Sequence, residues 1–344
     1  MTVVTFASLD CMKKVRIGMI GCGSFSRHHG RMFGQMHHVQ MVALCDPNRQ
    51  NLDRYQREIF DPLNQRPRQF ADYREMLKEV DCDGVVIVTP HAQHFEQAMA
   101  ALGAGHHVLL EKPMVIGVKQ SRELIGRAKR VKRVLSLAFP GSFAPEFAYV
   151  RELLKRRELG EVISVHGFVA QSWLKGTRGT WRQDPALAGG GFAYDSGAHL
   201  FHAMLFLSNL WPAEVFAWTD NRGTPVDILA SAVMRFENGA LGTANCCGED
   251  ARNWDEGITL SGTKASVRTG IHGGRLEQWD AQGKLVRYPR VEPVPTLHQN
   301  FVDCILGRAE TPCPPIWGLR QSLLMEALYK SARTGKAVRV GRVD

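Results

Sequence analysis

Two short segments of this chain carry side chains suited to proton transfer and ligand binding. Glu111-Lys112-Pro113 follows the apolar run His107-Val108-Leu109-Leu110, which reads as a buried strand. A lysine at the carboxyl end of such a strand sits in the crevice where open α/β sheets bind ligands. Asp195 and His199 stand at i and i+4, so on a helix they share one face. Leu200, Phe201, Met204, Leu205 and Phe206 predict that this helix is largely buried, and burying an Asp–His pair without need is costly. The triplet Gly189-Gly190-Gly191 ahead of it lets the backbone come close to a ligand. A histidine titrates near operating pH, and an ammonium stabilises negative charge developing on an oxygen. The expected chemistry is loss of a substrate hydroxyl proton to His199, with Lys112 bonded to the same oxygen. Asp195 orients the substrate or bonds an adjacent hydroxyl. Spacing leaves open which of Lys112 and His199 carries the proton.

A second signal lies near the amino terminus. The run Val15–Ile20 ends in Gly21-Cys22-Gly23-Ser24-Phe25-Ser26. Gly21 allows a tight turn, Gly23 lets the backbone approach a pyrophosphate, and a helix starting near Ser24 offers unpaired N–H groups to that anion. Ser26 replaces the third glycine of the usual pattern and is still small. Asp46 ends the next apolar run, Val42-Ala43-Leu44-Cys45, near the ~20-residue offset of a ribose ligand. A carboxylate there accepts from ribose hydroxyls and repels a 2′-phosphate, which favours NAD over NADP, while the nearby Arg49 leaves NADP possible. Thr89 and Pro90 end a further strand and face the same crevice. His94 is either a ribose contact or a first-turn helix residue.

The elements that position these residues follow from the apolar pattern. Strands are expected at 15–20, 41–44, 85–88, 108–110 and 134–138, alternating with helices at 24–35, 48–59, 72–78, 92–104 and 119–130. That alternation predicts βαβ units and a parallel sheet over residues 1–139. The pattern stops at Phe139-Pro140-Gly141. After a helix at 144–156, residues 140–344 carry alternating segments at 162–170, 215–219, 228–236, 240–245, 258–261 and 265–269. Turn residues separate several of them, as in a predominantly antiparallel sheet. A closing helix is expected at 319–334.

Composition sets the bounds. With 344 residues, 44% hydrophobic and 22% charged, the chain suits a globular protein of two domains. No apolar run is long enough to span a bilayer. Met1–Met12 lacks a basic region ahead of an apolar core and reads as an extension rather than a signal peptide, with Met12 an alternative start. The eight cysteines form no Cys-x-x-Cys, which fits reduced thiols in the cytoplasm and no metal site. The net charge of +9 lacks an aromatic-interleaved basic stripe, so no nucleic-acid partner is expected.

Together, Gly21-x-Gly23, Asp46, Thr89-Pro90 with His94, Glu111-Lys112-Pro113 and Gly189-Gly190-Gly191-x-x-x-Asp195-x-Gly197-x-His199 resemble the Gfo/Idh/MocA (glucose–fructose oxidoreductase/inositol dehydrogenase) family. The resemblance implies an N-terminal Rossmann domain, doubly wound on a parallel sheet. It implies a C-terminal α+β domain whose large sheet forms a homodimer or homotetramer interface. It implies a cofactor site of Gly21, Gly23, Ser24, Phe25, Asp46, Thr89, Pro90, His94, Glu111 and Lys112, and Lys112, Asp195 and His199 match its catalytic motif. The activity it implies is hydride transfer between NAD(P) and a hydroxyl or keto carbon of a sugar, cyclitol or related polyol. The alternatives are an NAD-dependent glycosidase that retains its cofactor and a non-catalytic cofactor-bound regulator. Trp181 and Arg182, with Trp173 and Arg178, precede the glycine triplet and suit a sugar face and its hydroxyls, or else a loop at a subunit boundary. Two departures stand out. His202 occupies a position where the family often has an acid, and residues 139–143 lack the Arg common there.

Overall fold

The computed structural model of the chain describes residues 14–287 and 291–343, so Met1–Met12 lies outside the described residues. Six strands form the first sheet: β1 Val15–Ile20, β2 Val39–Cys45, β3 Arg68–Phe70, β4 Gly84–Ile87, β5 His107–Glu111 and β6 Leu135–Ala138. Their order is β3-β2-β1-β4-β5-β6, and every neighbouring pair is parallel. The order reverses direction between β1 and β4, which opens a crevice at their carboxyl ends. Around the sheet run α1 Ser26–Gly34, α2 Arg49–Tyr55, α3 Tyr73–Glu79, α4 His94–Gly103 and α5 Val118–Val131.

Two local differences from the sequence reading have simple causes. The edge strand β3 has no apolar run and buries only Phe70, so alternation could not announce it. The helix expected over 48–59 ends at Tyr55 and widens into a π-turn, Gln56–Phe60. The wider winding lets residues five apart face the core together, and the Tyr55 and Phe60 rings lie 5.7 Å apart.

Four short or medium helices continue the chain: α6 Pro145–Lys155, α7 Trp173–Gly176, α8 Pro185–Ala188 and α9 Gly197–Ser208. The second sheet contains β7 Val162–Gln171, β8 Pro212–Asp220, β9 Leu229–Phe236, β10 Leu241–Cys247, β11 Trp254–Gly262, β12 Ala265–Thr269, β13 Leu276–Asp280, β14 Leu285–Val286 and β15 Val338–Arg339. Its order is β14-β13-β12-β11-β7-β10-β9-β8-β15. Only β7 and β10 pair in parallel. Burial alternates along β9 and β10, so one face packs and the other meets solvent. The packed face is covered by α9, whose residues from Leu200 to Ser208 are all buried, and by α11, Ile316–Thr334.

Before α11, the chain returns to the first sheet. Helix α10, Leu297–Ile305, sets Phe301 and Ile305 against Gly84 of β4. The Cys313 carbonyl accepts from Leu137 N of β6 at 3.0 Å. No helix among the described residues is long and apolar enough to cross a membrane.

Candidate active site

At the end of β1, Gly21 adopts φ +92°, and a Cβ there would collide with the Val88 carbonyl, so only glycine fits. The turn is tied to β2 through Asp46, whose carboxylate accepts from Cys22 N and Asn48 N, both at 2.8 Å, and from Asn51 Nδ2. A carboxylate has about four acceptor positions, so Asp46 keeps capacity for a hydroxyl on its cavity side. Beyond Gly23 the space is open, and α1 starts after Phe25 with no side-chain cap on its N–H groups. An uncapped helix start opposite a buried acid fits a dinucleotide's pyrophosphate and ribose. Ser26 packs tightly, its hydroxyl bonded to the Gly23 carbonyl at 2.7 Å. Ser24, Phe25, Thr89 and Pro90 line the same cavity.

His94 does not reach that cavity. It is fully buried, with its ring nitrogens on the Pro113 and Thr89 carbonyls at 2.9 and 3.0 Å. Both ring nitrogens meet backbone carbonyls, so the ring ties the Thr89 strand end to the segment after Lys112. Glu111 has a similar bracing part. Its carboxylate takes Lys112 N at 3.0 Å and His29 Nε2 at 2.9 Å, and His29 Nδ1 meets His298 Nε2 of α10 at 2.9 Å. This buried chain fixes the backbone from which Lys112 projects.

Asp195 is the hub of the other half. Lys112 Nζ bonds Asp195 Oδ1 at 2.7 Å and the Asp195 carbonyl at 3.1 Å. Trp173 Nε1 and Arg182 Nε donate to Oδ2 at 2.9 and 3.0 Å. Burial opposes charge on this carboxyl, but the Lys112 and Arg182 charges outweigh it and hold its pKa well below the usual carboxylate range. The Arg182 guanidinium lies over the Trp181 ring, 4.5 Å from its centroid. Trp181 in turn meets His91 edge-on at 4.7 Å. Burial, with help from Lys112, pushes His91 down to about 3, so its ring is neutral.

The helix starts later than the spacing predicts. Asp195 lies in the turn before α9, and only His199 is on the helix. The turn closes with Asp195 N on the Gly191 carbonyl at 3.0 Å and still points both side chains into one cavity. Its shape is held by Asp227, which accepts from Gly191 N at 2.7 Å, Ala193 N at 2.9 Å and the Tyr329 hydroxyl at 2.7 Å. A Cβ on Gly191 would run into the Asp227 backbone. At this position the glycine triplet admits the loop before β9 rather than a ligand, which corrects the sequence reading.

His199 is half-buried in the cavity wall. Desolvation, then the charges of Lys112 and His272, set its pKa well below the ordinary imidazole value. His272 packs on it with centroids 4.4 Å apart and bonds Glu256 Oε2 through Nδ1 at 2.7 Å. The two departures from the family pattern are in contact. Phe139 and His202 stack at 4.0 Å and 14°, and His202 Nε2 meets Ser142 Oγ at 2.7 Å. His202 is thus a core residue, which leaves the cavity wall to others.

The cavity measures about 1480 Å³ and runs from Gly21 and Asp46 past Lys112 and Asp195 to Trp181, His272 and Trp254. Sequence spacing did not find Trp173's bond to Asp195, His91, Asp227, or the His272–Glu256 pair. Only His91, next to a predicted strand end, carried a local signal.

Residues 15–139 match a family described as an oxidoreductase family with an NAD-binding Rossmann fold, and residues 147–268 match the GFO/IDH/MocA C-terminal domain. The chain belongs to the Gfo/Idh/MocA oxidoreductase family. Its first domain is the NAD-binding domain of that family. Among Gfo/Idh/MocA relatives, glucose-6-phosphate 3-dehydrogenase of Bacillus subtilis is 28% identical over 57% of this chain and 54% of its own length. The chain thus matches about half of that relative. Levoglucosan dehydrogenase of Pseudarthrobacter phenanthrenivorans is 24% identical over 74% of this chain and 73% of its own. The WlbA dehydrogenase of Bordetella pertussis, solved with NADH and UDP-GlcNAcA, shares the fold at a TM-score of 0.81 and 23% identity, covering 96% of this chain and 99% of WlbA.

Proposed function

We propose that the chain is an NAD-dependent dehydrogenase that interconverts a CH–OH group and a carbonyl on a sugar, cyclitol or related polyol. The observation that carries this reading is the convergence of Lys112, Asp195 and His199 in the cavity that Gly21, Gly23 and Asp46 also line. When bound, the nicotinamide supplies the hydride acceptor. His199 is neutral far below pH 6.5, so it has a lone pair for the hydroxyl proton. Lys112 has three N–H groups, and Asp195 engages two of them. The third is left for the substrate oxygen, where it stabilises negative charge. Asp195 orients that ammonium and accepts from a neighbouring hydroxyl. Trp181 and Arg182 offer a face and a donor to the ring. Asp46 supports NAD over NADP, and Arg49 is engaged by Asp53 at 2.9 Å.

The reading includes a homodimer or homotetramer, supported by Ile163, Trp218, Val233 and Leu241 exposed on strands β7 to β10 of the second sheet. Seven described cysteines are unpaired, which supports a reducing compartment such as the cytoplasm.

The test follows absorbance at about 340 nm, where the reduced nicotinamide absorbs, with NAD or NADP and a panel of sugars, inositols and sugar acids. The expected result is substrate-dependent reduction of NAD. Silence across the panel with NAD bound would overturn the reading and direct the search to glycosides cleaved without net redox change.

A further inference from the structure

Beyond His199 the cavity continues to an outer wall that the chemistry above does not use. Trp254, the first residue of β11, and His272, in the stretch after β12, line it. Trp254 is 45% exposed, although it is among the largest apolar side chains of the protein. Its indole lies 5.6 Å from the His272 ring, and His272 lies 4.4 Å from His199. The three rings form a continuous row leading away from His199.

His272 is fixed in this row. Its Nδ1 bonds Glu256 Oε2 at 2.7 Å, and its backbone N–H reaches Glu256 Oε1 at 3.4 Å. An ionised carboxylate only accepts, so Nδ1 donates to Glu256 and the imidazole is held in one orientation. The outer wall therefore presents one oriented imidazole beside a part-exposed indole. A pyranose ring needs that combination, because its C–H face stacks on an aromatic while its hydroxyls bond at the edge.

We propose that Trp254 and the Glu256-held His272 form an outer carbohydrate subsite, so that the substrate is a glycoside carrying a second sugar ring beyond the one that reacts. The cavity, at about 1480 Å³, is larger than the ~300–1,000 Å³ of an ordinary small-molecule pocket. Its lining extends past His199 to Trp254 and His272, the place a second ring would take. The inference rests on the dehydrogenase reading for the place of the first ring, whereas the subsite itself is tested by binding.

The experiment is calorimetric titration of the NAD-saturated protein with cellobiose, maltose, lactose and melibiose, and with the methyl glycosides of their component sugars. At least one disaccharide should bind roughly tenfold more tightly than its methyl glycoside. Trp254→Ala should abolish that advantage and leave methyl glycoside affinity within about twofold. His272→Phe, which keeps the ring packing and removes the polar ring nitrogens, should also weaken the disaccharide selectively. Absence of any disaccharide advantage, or equal losses for both ligand classes in Trp254→Ala, would overturn the subsite. Binding with this pattern but no change at about 340 nm would instead count against the dehydrogenase reading alone.

Discussion

In the proposed reaction, Lys112 and His199 take different parts in moving one proton because their surroundings differ. Lys112 is ion-paired to Asp195 at 2.7 Å, whereas His199 stands in a desolvated wall near the Lys112 charge. A neutral ring is the working form of a base, so protonation of His199 should silence oxidation. Its pKa lies well below 6.5, so the oxidation rate should stay level as pH falls through 6.5 and drop only at lower pH. A pH–rate profile at saturating substrate checks this, and an acid limb centred at or above 6.5 would contradict it. In sequence, Lys112, Asp195 and His199 were legible because each belongs to a short local pattern. His272 and Glu256 were not, because they approach only when β11 and β12 pair, and neither has a signal of its own.

The turn between α8 and α9 is the element on which Asp195 depends. Asp227 accepts from Gly191 N, Ala193 N and the Tyr329 hydroxyl. Hydrogen bonds to a charged group are worth about 1.5–3 kcal/mol each, and orphaned donors add their own penalty. Asp227→Ala should therefore destabilise the fold by at least about 3 kcal/mol. It should also lower turnover more than NAD affinity, since the Gly21 turn lies elsewhere. Urea denaturation and equilibrium NAD binding test the two halves of this expectation. The sequence announced a helix across this turn because i and i+4 spacing holds equally for a helix and for the tight turn leading into one. The glycines spoke of close approach without saying to what.

At the scale of the whole molecule, buried neutral histidines couple stability to pH. Burial, then the Arg151 charge, pushes His202 down to about 3, against 6.5 for a free ring. Between pH 3 and 6.5 the unfolded chain binds more protons at this residue than the folded one. The stability it contributes is complete above 6.5 and is lost as pH falls towards 3, at ~1.4 kcal/mol per pH unit. His202→Phe keeps a ring against Phe139 and cannot titrate. Its loss of stability between pH 7 and pH 5 should be smaller than that of the wild type by about 2 kcal/mol. Equal losses in urea denaturation would contradict this.

The two-sheet architecture was readable from apolar runs alternating with helices and then with turns, because each strand declares itself locally. The return of residues 297–313 to the first sheet was not, since its contacts join positions far apart in sequence. The seat of α10 against Gly84 and the His29–His298 contact depend on that return.

The central claim is that one cluster, Lys112–Asp195–His199, performs redox chemistry with NAD. The most direct measurement is single-turnover reduction of bound NAD by an active sugar in the wild type, His199→Ala and Lys112→Met, with NAD affinity measured in parallel. The account predicts that each variant binds NAD nearly normally and transfers hydride at least about 100-fold more slowly. Near-normal transfer in both variants would contradict it.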